Sequence, residues 1–549
     1  MTAPEHNSLI TSILIMSQSS SVAQPKELKH VGIVGAGMAG LYAAYRLKLS
    51  NDPRIAVSLY ELDGRVGGRV KTYRFTSEKD QYFEAGAMRI PSTQMHQPTF
   101  DLIKLLNDTY HADLKLIPYH LTTPGNRTFI NGILKNGGDD GTAKALGFDL
   151  PVPYGNKTAD ALLLSAIQAF IDLLERDFDQ GWNLLLRLDK VPFRSYLEDL
   201  GWPQSVIDFT ETMCSQTNQF ALSFSELIMQ NLDFDTKQWF TLDEGMDRLP
   251  QALARVVGMD NITFGARVQK IEQTGDGVTI CADTPRGRVE QTFDKVILAI
   301  PPSALRMIPE RPRWDYRKEQ AIRAMFYEAL YKIGLRFKTR FWEHVQPPSL
   351  GGQSTTDLPI RWIVYPSNGI GSEGPGVLLL YSWNTDASVW SSIPFSERLK
   401  SSLCHLSKVF PSVDVYNQFI AAEDLAWSEH NPTGDAMFLP GQLSEYFEIA
   451  RRKEGNIYFA GEHLSRHHTW ITGAIDSARS TAEEVISDFA LKRVPTGWIP
   501  PAGTEPSDHY DPEANRMKVI KGGLENIKNN REEFEKSVLL LVNALYHKH

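Results

Sequence analysis

Cysteine is scarce in this chain: Cys214, Cys281 and Cys404 are the only three in 549 residues. They are widely separated, odd in number and in no C-x-x-C arrangement, so neither a disulfide framework nor a cysteine-ligated zinc site is suggested. Basic charge is also short. With 57 Lys and Arg against 66 Asp and Glu, the formal net charge is -9, which argues against a nucleic-acid binder because nothing is in excess to neutralise phosphates. No apolar run approaches the roughly 20 residues of a spanning helix. Near the N-terminus LITSILIM (Leu9 to Met16) is short and has no Lys or Arg before it, so it reads as a leader or arm rather than a signal peptide. Cytoplasmic rather than secreted location is the expectation, and the short sequons at Asn107, Asn126, Asn156 and Asn261 do not argue otherwise. No internal repeat is present.

What is there is ordinary globular material. Hydrophobic residues at 42% and charged residues at 22% exclude global disorder, and the length favours either several domains or one elaborated enzyme unit with discontinuous domains. The stretch HVGIVGAGMAGLYAAYRL reads as strand, tight turn and helix. Gly35 permits the turn, Gly37 lets backbone approach a pyrophosphate, and Gly40 lets the helix pack on the strand, with Met38 and Ala39 at the helix N-terminus facing the negative charge. A second strand, IAVSLYE, ends in Glu61, about 20 residues beyond the last glycine, where a ribose-binding acid belongs. Glu61 would repel a 2′-phosphate, so NADP is disfavoured while NAD and FAD stay open.

The next residues are ELDGRVGGRVKT, a second glycine turn flanked by Arg65 and Arg69, guanidinium groups able to contact phosphate and flavin oxygens. Here the sequence resembles the flavin-containing amine oxidase superfamily, with Gly64 standing where that family often has a polar or acidic residue. The resemblance implies noncovalent FAD in an extended pose. It continues, covering roughly half of the chain, and points to the L-amino-acid oxidase branch of fungal type. YFEAGAMRIP resembles the segment that passes the flavin ring, setting Ala87 and Met88 at the cofactor and Arg89 toward the substrate. TLDEGMDRLPQAL and FGARVQKIEQ resemble a helix start and the strand whose Val268 backbone meets the adenine. DKVILAIPPSAL places Ile300 and Pro301 near the cofactor, YKIGLRFKTRFWE carries Lys332, and VLLLYSWNTDAS carries Tyr381. GNIYFAGEHLSRHHTWITGAIDSA resembles the C-terminal flavin segment, implying that Gly461, Glu462, Thr469, Trp470 and Ile471 contact FAD, with Trp470 also walling the substrate pocket.

These pieces predict an α/β fold: a discontinuous Rossmann-like FAD-binding domain assembled from 28–95, 240–310 and 450–490, with a substrate-domain segment and helical insertion over 96–239 and a substrate-binding α+β domain over 311–449. An N-terminal arm (1–27) and a linker with a helical tail (491–549) flank them. Apolar spacing over Ala161 to Leu188 predicts helices guarding the entrance.

The implied chemistry is oxidative deamination. Arg89 would clamp the carboxylate of an L-amino acid, Tyr381 would add a hydrogen bond, and Cα would face flavin N5, giving an imino acid that hydrolyses to a 2-oxo acid and ammonia, with hydrogen peroxide from oxygen. Lys332 matches a lysine that holds a water near N5. Plainer readings stand beside these: a structural salt bridge for Arg89, a core tyrosine for Tyr381, a solvated strand lysine for Lys332. An L-amino-acid monooxygenase or an amine or polyamine oxidase are the alternatives, the latter weakened because Ala436 stands where a second cage aromatic would be. Asp233 and Asp235 lie near a pocket wall but read as solvated loop acids. The expected partners are the amino acid, oxygen and a second copy of the chain as homodimer, with no nucleic acid and no membrane. In GEHLSRHHTW the four-residue spacing of His463 and His467 would suit zinc on a helix, yet no third ligand is implied; no metal is expected, both histidines read as structural, and His468 remains a candidate for tuning pH dependence.

Overall fold

The computed structural model describes residues 28–489 apart from 51–53, 138–140, 235, 237, 276 and 431–433. The expected N-terminal arm, the linker and helical tail, and Asp235 lie outside the described residues.

Short apolar runs with almost no polar alternation form strands buried on both faces, and such strands pair in parallel. Ile262–Thr263, Ile55–Tyr60, Lys29–Val34, Lys295–Leu298 and Ile457–Phe459 stand in that spatial order in one parallel sheet. Pieces of chain from the beginning, the middle and the end thus meet in one layer. Alternate side chains feed different cores: Val31, Ile33 and Ile297 pack with the helices Met38–Leu49 and Ile471–Asp488, while Val34, Val296 and Leu298 pack on the opposite side. On that second side lies an antiparallel three-stranded sheet, Arg267–Thr274, Gly277–Thr284 and Gly287–Phe293. Gly32 is required there, because a Cβ would lie 2.8 Å from the Phe293 ring.

The second layer is a mixed seven-stranded sheet, ordered Phe419–Ala426, Leu330–Phe337, Gly376–Trp383, Trp362–Val364, Gln353–Thr356, Thr128–Ile130 and Ile133–Lys135. Its register does functional placement. Lys332 is the direct cross-strand partner of Tyr381, and Tyr381 in turn of Trp362. Trp383, two residues past Tyr381, shares its face. The strand Tyr82–Glu84 lies on this sheet at Gly334, where a Cβ would meet Phe83 at 2.2 Å. That contact brings the segment leading to Arg89 over Lys332.

Residues 159–234 form a helical unit: Ala159–Arg176, Phe178–Leu188, Phe193–Asp199, Gln204–Met213 and Phe224–Phe234. The apolar stretch read as helices from Ala161 to Leu188 is two of them. Asp177 leaves helical geometry (φ −149°, ψ 93°) and its carboxylate accepts from Gln180 N at 3.1 Å, capping the second helix.

Candidate active site

A cavity of about 540 Å³ is lined on one side by loops at the C-terminal ends of the parallel strands and on the other by the seven-stranded sheet. At the first strand end, Gly35 turns the chain with φ +100°, and a Cβ there would lie 2.7 Å from Ala299 O. Gly40 does not line the cavity; a Cβ on it would sit 1.9 Å from Gly35 O, so its absence closes the turn. Gly37 bridges to Gly67, whose N–H donates to Ala36 O at 2.9 Å, so the two glycine turns stand back to back. Gly37, Met38, Ala39 and Gly68 all line the cavity, and the helix Met38–Leu49 starts with no side-chain cap, leaving its first N–H groups for an anion.

Glu61 is buried, which pushes its carboxyl pKa up, against the N–H groups of Asp63 and Ala36 that donate to it at 2.8 and 2.7 Å. Each oxygen keeps a lone pair for a ribose hydroxyl. Glycine cradle, bare helix N-terminus and buried acid together fit a dinucleotide. Arg65 is otherwise employed: it donates to Gly68 O at 2.7 Å and to Val66 O and Val70 O, holding the second turn rather than reaching outward. Arg69 donates to Glu462 Oε1 at 2.7 Å and to Gly434 O at 2.9 Å. Burial alone would raise the pKa of Glu462, but Arg69 and the N–H of Thr469 hold it below the usual carboxylate range. Thr469 takes a left-handed φ of +70°, uncommon for a β-branched residue. Gly461, Glu462, Thr469, Trp470 and Ile471 line the cavity, as do Ala87, Met88, Ile300 and Pro301.

Val268 stands in the ladder opposite Ala282, is buried and does not line the cavity; Ala266, two residues earlier and likewise outside the lining, donates its N–H to Glu61 O at 2.8 Å.

At the other end of the cavity the structure brings together Arg89, Lys332, Tyr381 and Trp470. Arg89 is 7% exposed and lies among the rings of Phe234, Trp362, Trp239 and Tyr119, at 5.1 to 5.8 Å from their centroids. It donates a long hydrogen bond to Gln353 Oε1, 3.4 Å, and also interacts with the Tyr119 hydroxyl, but among the described residues no carboxylate pairs with it. A structural salt bridge to a described residue is therefore not what holds Arg89. Lys332 is buried, not solvated: its Nζ donates to Gly86 O at 2.5 Å and Glu84 O at 3.2 Å, and stands 4.5 Å from the Tyr381 ring centroid. Burial brings its pKa from 10.5 down to about 7. The Tyr381 hydroxyl has no hydrogen bond within the described residues, so the core-tyrosine reading does not hold. Trp470 is edge-on to His96 at 4.9 Å and packs with Phe234 and Trp239, the same rings that surround Arg89.

Asp233 and the three histidines are placed as follows. Asp233 is a buried residue of the helix Phe224–Phe234 whose carboxylate meets His96 Nε2 at 3.0 Å, not a solvated loop acid. The stretch from Gly461 to Trp470 is not a helix long enough to aim His463 and His467 at one ion; burial depresses both to about 4. His468 lies outside the cavity lining and faces Glu226, at 2.8 and 2.9 Å. Burial disfavours its charge, yet Glu226 outweighs that and raises it to about 9.

Two carboxylates escaped the sequence reading. Glu328 and Asp435 are register partners across the short antiparallel pairing of Tyr327–Glu328 with Asp435–Ala436, and both line the cavity. Burial, together with their mutual repulsion, lifts Glu328 well above the carboxylate range, and burial with the nearby Glu462 charge lifts Asp435 to about 7. A faint signal existed: Glu328 is four residues before Lys332, and Asp435 adjoins Ala436, already noted for the missing cage ring.

The family model for flavin containing amine oxidoreductases matches residues 38–486. A Dictyostelium discoideum protein named "Putative bifunctional amine oxidase" is 34% identical over 518 residues, 86% of this chain but 47% of its own length, so the chain spans about half of that relative. A Bacillus subtilis protein named "Putative L-amino-acid oxidase" is 30% identical over 87% of this chain and 99% of its own, and an L-amino-acid oxidase of Siganus canaliculatus is 30% identical over 83% and 85%. Among solved structures, cyclohexylamine oxidase from Brevibacterium oxydans superposes with TM-score 0.66 at 19% identity, covering 84% of this chain and 99% of that one, and putrescine oxidase with TM-score 0.64 at 20% identity over 84% and 99%. Those two carry the fold alone. With the glycine cradle, the parallel sheet and a match over most of its length, the chain belongs to the flavin containing amine oxidoreductase family, whose members use FAD.

Proposed function

We propose that this enzyme oxidises L-amino acids, with FAD held noncovalently along the cavity from Gly37 to Trp470. The carrying observation is Arg89. A guanidinium taken out of water costs several kcal/mol unless an anion compensates it, and this one is surrounded by aromatic rings with no carboxylate beside it among the described residues. A substrate carboxylate supplies the missing charge and accepts two parallel hydrogen bonds. Tyr381, whose hydroxyl has no hydrogen-bond partner among the described residues, donates a third and fixes the substrate against the sheet. Lys332 spends two of its three N–H groups on the carbonyls of Glu84 and Gly86, leaving one for a water or for oxygen chemistry.

When bound, FAD supplies a two-electron oxidation of the Cα–N bond, so that L-amino acid, oxygen and water become 2-oxo acid, ammonia and hydrogen peroxide. The enclosing rings of Phe234, Trp239, Trp362 and Trp470 exclude bulk water while this occurs. Relatives named L-amino-acid oxidases support the reading, as does Ala436, which is fully buried and cannot serve as a cage ring. Noncovalent attachment is supported by Cys214, the cysteine among the described residues that lines the cavity: it belongs to the turn after Gln204–Met213, not to the segment from Gly461 to Ile471.

Purified, flavin-loaded enzyme assayed with the common L-amino acids and their decarboxylated amines tests this. Peroxide and 2-oxo acid from amino acids are expected. An amide product would make the enzyme a monooxygenase, and turnover of amines alone would overturn the role of Arg89.

A further inference from the structure

Glu328 and Asp435 oppose one another across paired strands in a cavity that also holds Arg89. Two carboxylates set side by side out of water are costly when both are charged: with no cation between them the pair takes up a proton, and with one it can ionise. Three cations near the pair are already committed. Arg69 is held by Glu462, Lys332 by the carbonyls of Glu84 and Gly86, and Arg361 by Asp386 at 2.5 Å and the carbonyls of Ser215 and Thr217. Among the described residues the side-chain donor to the pair is Gln219 Nε2, which reaches both oxygens of Glu328 at 2.9 and 3.1 Å. Asp435 Oδ1 is buried with no hydrogen-bond partner among the described residues.

An independent observation comes from the turn that carries Gln219. Gln216 is 9% exposed and lines the same cavity, and its Oε1 accepts no hydrogen bond among the described residues. A carbonyl oxygen and two ionised carboxylates are acceptors only. What they lack is a group rich in N–H donors and positively charged. Arg89 lies in the same chamber: the Tyr381 hydroxyl feels Arg89 as well as Asp435 and Glu328.

We propose that Glu328, Asp435 and Gln216 form the subsite for a cationic side chain, so that the preferred substrates are basic L-amino acids such as L-lysine, L-ornithine and L-arginine. The proposal rests on the carboxylate role of Arg89, and the two charges of opposite sign then read the two ends of one molecule. A neutral side chain leaves the pair holding a proton, whereas an ammonium or guanidinium lets it ionise and pairs with the charge.

The test compares L-lysine with L-norleucine, the same chain without its ammonium, on the FAD-loaded enzyme, with L-glutamine and cadaverine alongside. A kcat/KM for lysine about tenfold or more above norleucine is expected, since a site built for a polar group discriminates strongly against its absence. In Glu328→Gln and Asp435→Asn variants whose flavin spectrum shows FAD retained, that ratio falls toward one. Lysine and norleucine used equally by the unmodified enzyme, or glutamine preferred to lysine, would overturn the proposal while leaving the amino-acid reading intact. Cadaverine oxidised with every L-amino acid refused would overturn the reading of Arg89 on which it rests.

Discussion

Arg69 and Glu462 lie 393 residues apart in sequence and 2.7 Å apart in space. Their ion pair ties the second glycine turn to the C-terminal segment, and the other oxygen of Glu462 holds Thr469 N in its left-handed turn. Cofactor cradle and substrate wall are thus one connected piece. Replacing Glu462 by Gln removes the charge but keeps the shape, leaving Arg69 half-buried without its counter-ion. Retention of FAD, followed by flavin fluorescence on dilution, is expected to weaken roughly 10- to 100-fold, the worth of one charge-assisted hydrogen bond or two. Retention equal to that of the unmodified enzyme would show that the pair does not shape the cradle.

Lys332 carries a pH prediction. Burial, opposed by Glu84 and reinforced by Arg89, brings its ammonium down to about 7, so it is charged below that pH and neutral above. A positive charge favours the negative charge that develops as oxygen is reduced. The oxygen-dependent part of turnover, measured by stopped flow, should therefore slow as pH rises through about 7, and in Lys332→Met it should be roughly 10- to 100-fold slower and lose that pH dependence. A Lys332→Met enzyme with the same oxygen-dependent rate and profile would remove the lysine from this step.

His468 bears on stability instead of catalysis. Its pKa is raised from 6.5 to about 9, so the folded state holds the proton that the unfolded chain releases; this contribution is complete below about 6.5 and is lost as pH rises through 9. Denaturant unfolding should show the unmodified protein losing about 1–3 kcal/mol across that window relative to His468→Gln. Parallel curves for the two proteins would contradict the pairing with Glu226.

The cofactor half of the site is legible in the sequence because local backbone needs dictate it. Gly35 must turn and Gly40 must admit a carbonyl, so residue type and spacing speak directly. The substrate half is legible only through motif resemblance. Nothing local tells that Tyr119, Phe234, Trp239 and Trp362, from three distant segments, enclose Arg89. Glu328 and Asp435 are 107 residues apart and meet through a two-residue strand pairing too short for any pattern to announce. Asp233 was misread for a related reason: burial depends on what His96 brings to it, and composition does not record that.

The account stands most directly on Arg89. The decisive measurement is kcat/KM of FAD-loaded Arg89→Ala for the best L-amino acid, with Arg89→Lys beside it. Loss of one partner of a buried, hydrogen-bonded charge pair predicts a fall of about 100-fold or more with flavin still bound, and lysine should restore only part of it because a single ammonium cannot grip both carboxylate oxygens in parallel. Unchanged kcat/KM in the alanine variant would contradict the carboxylate anchor and the assignment to L-amino acids.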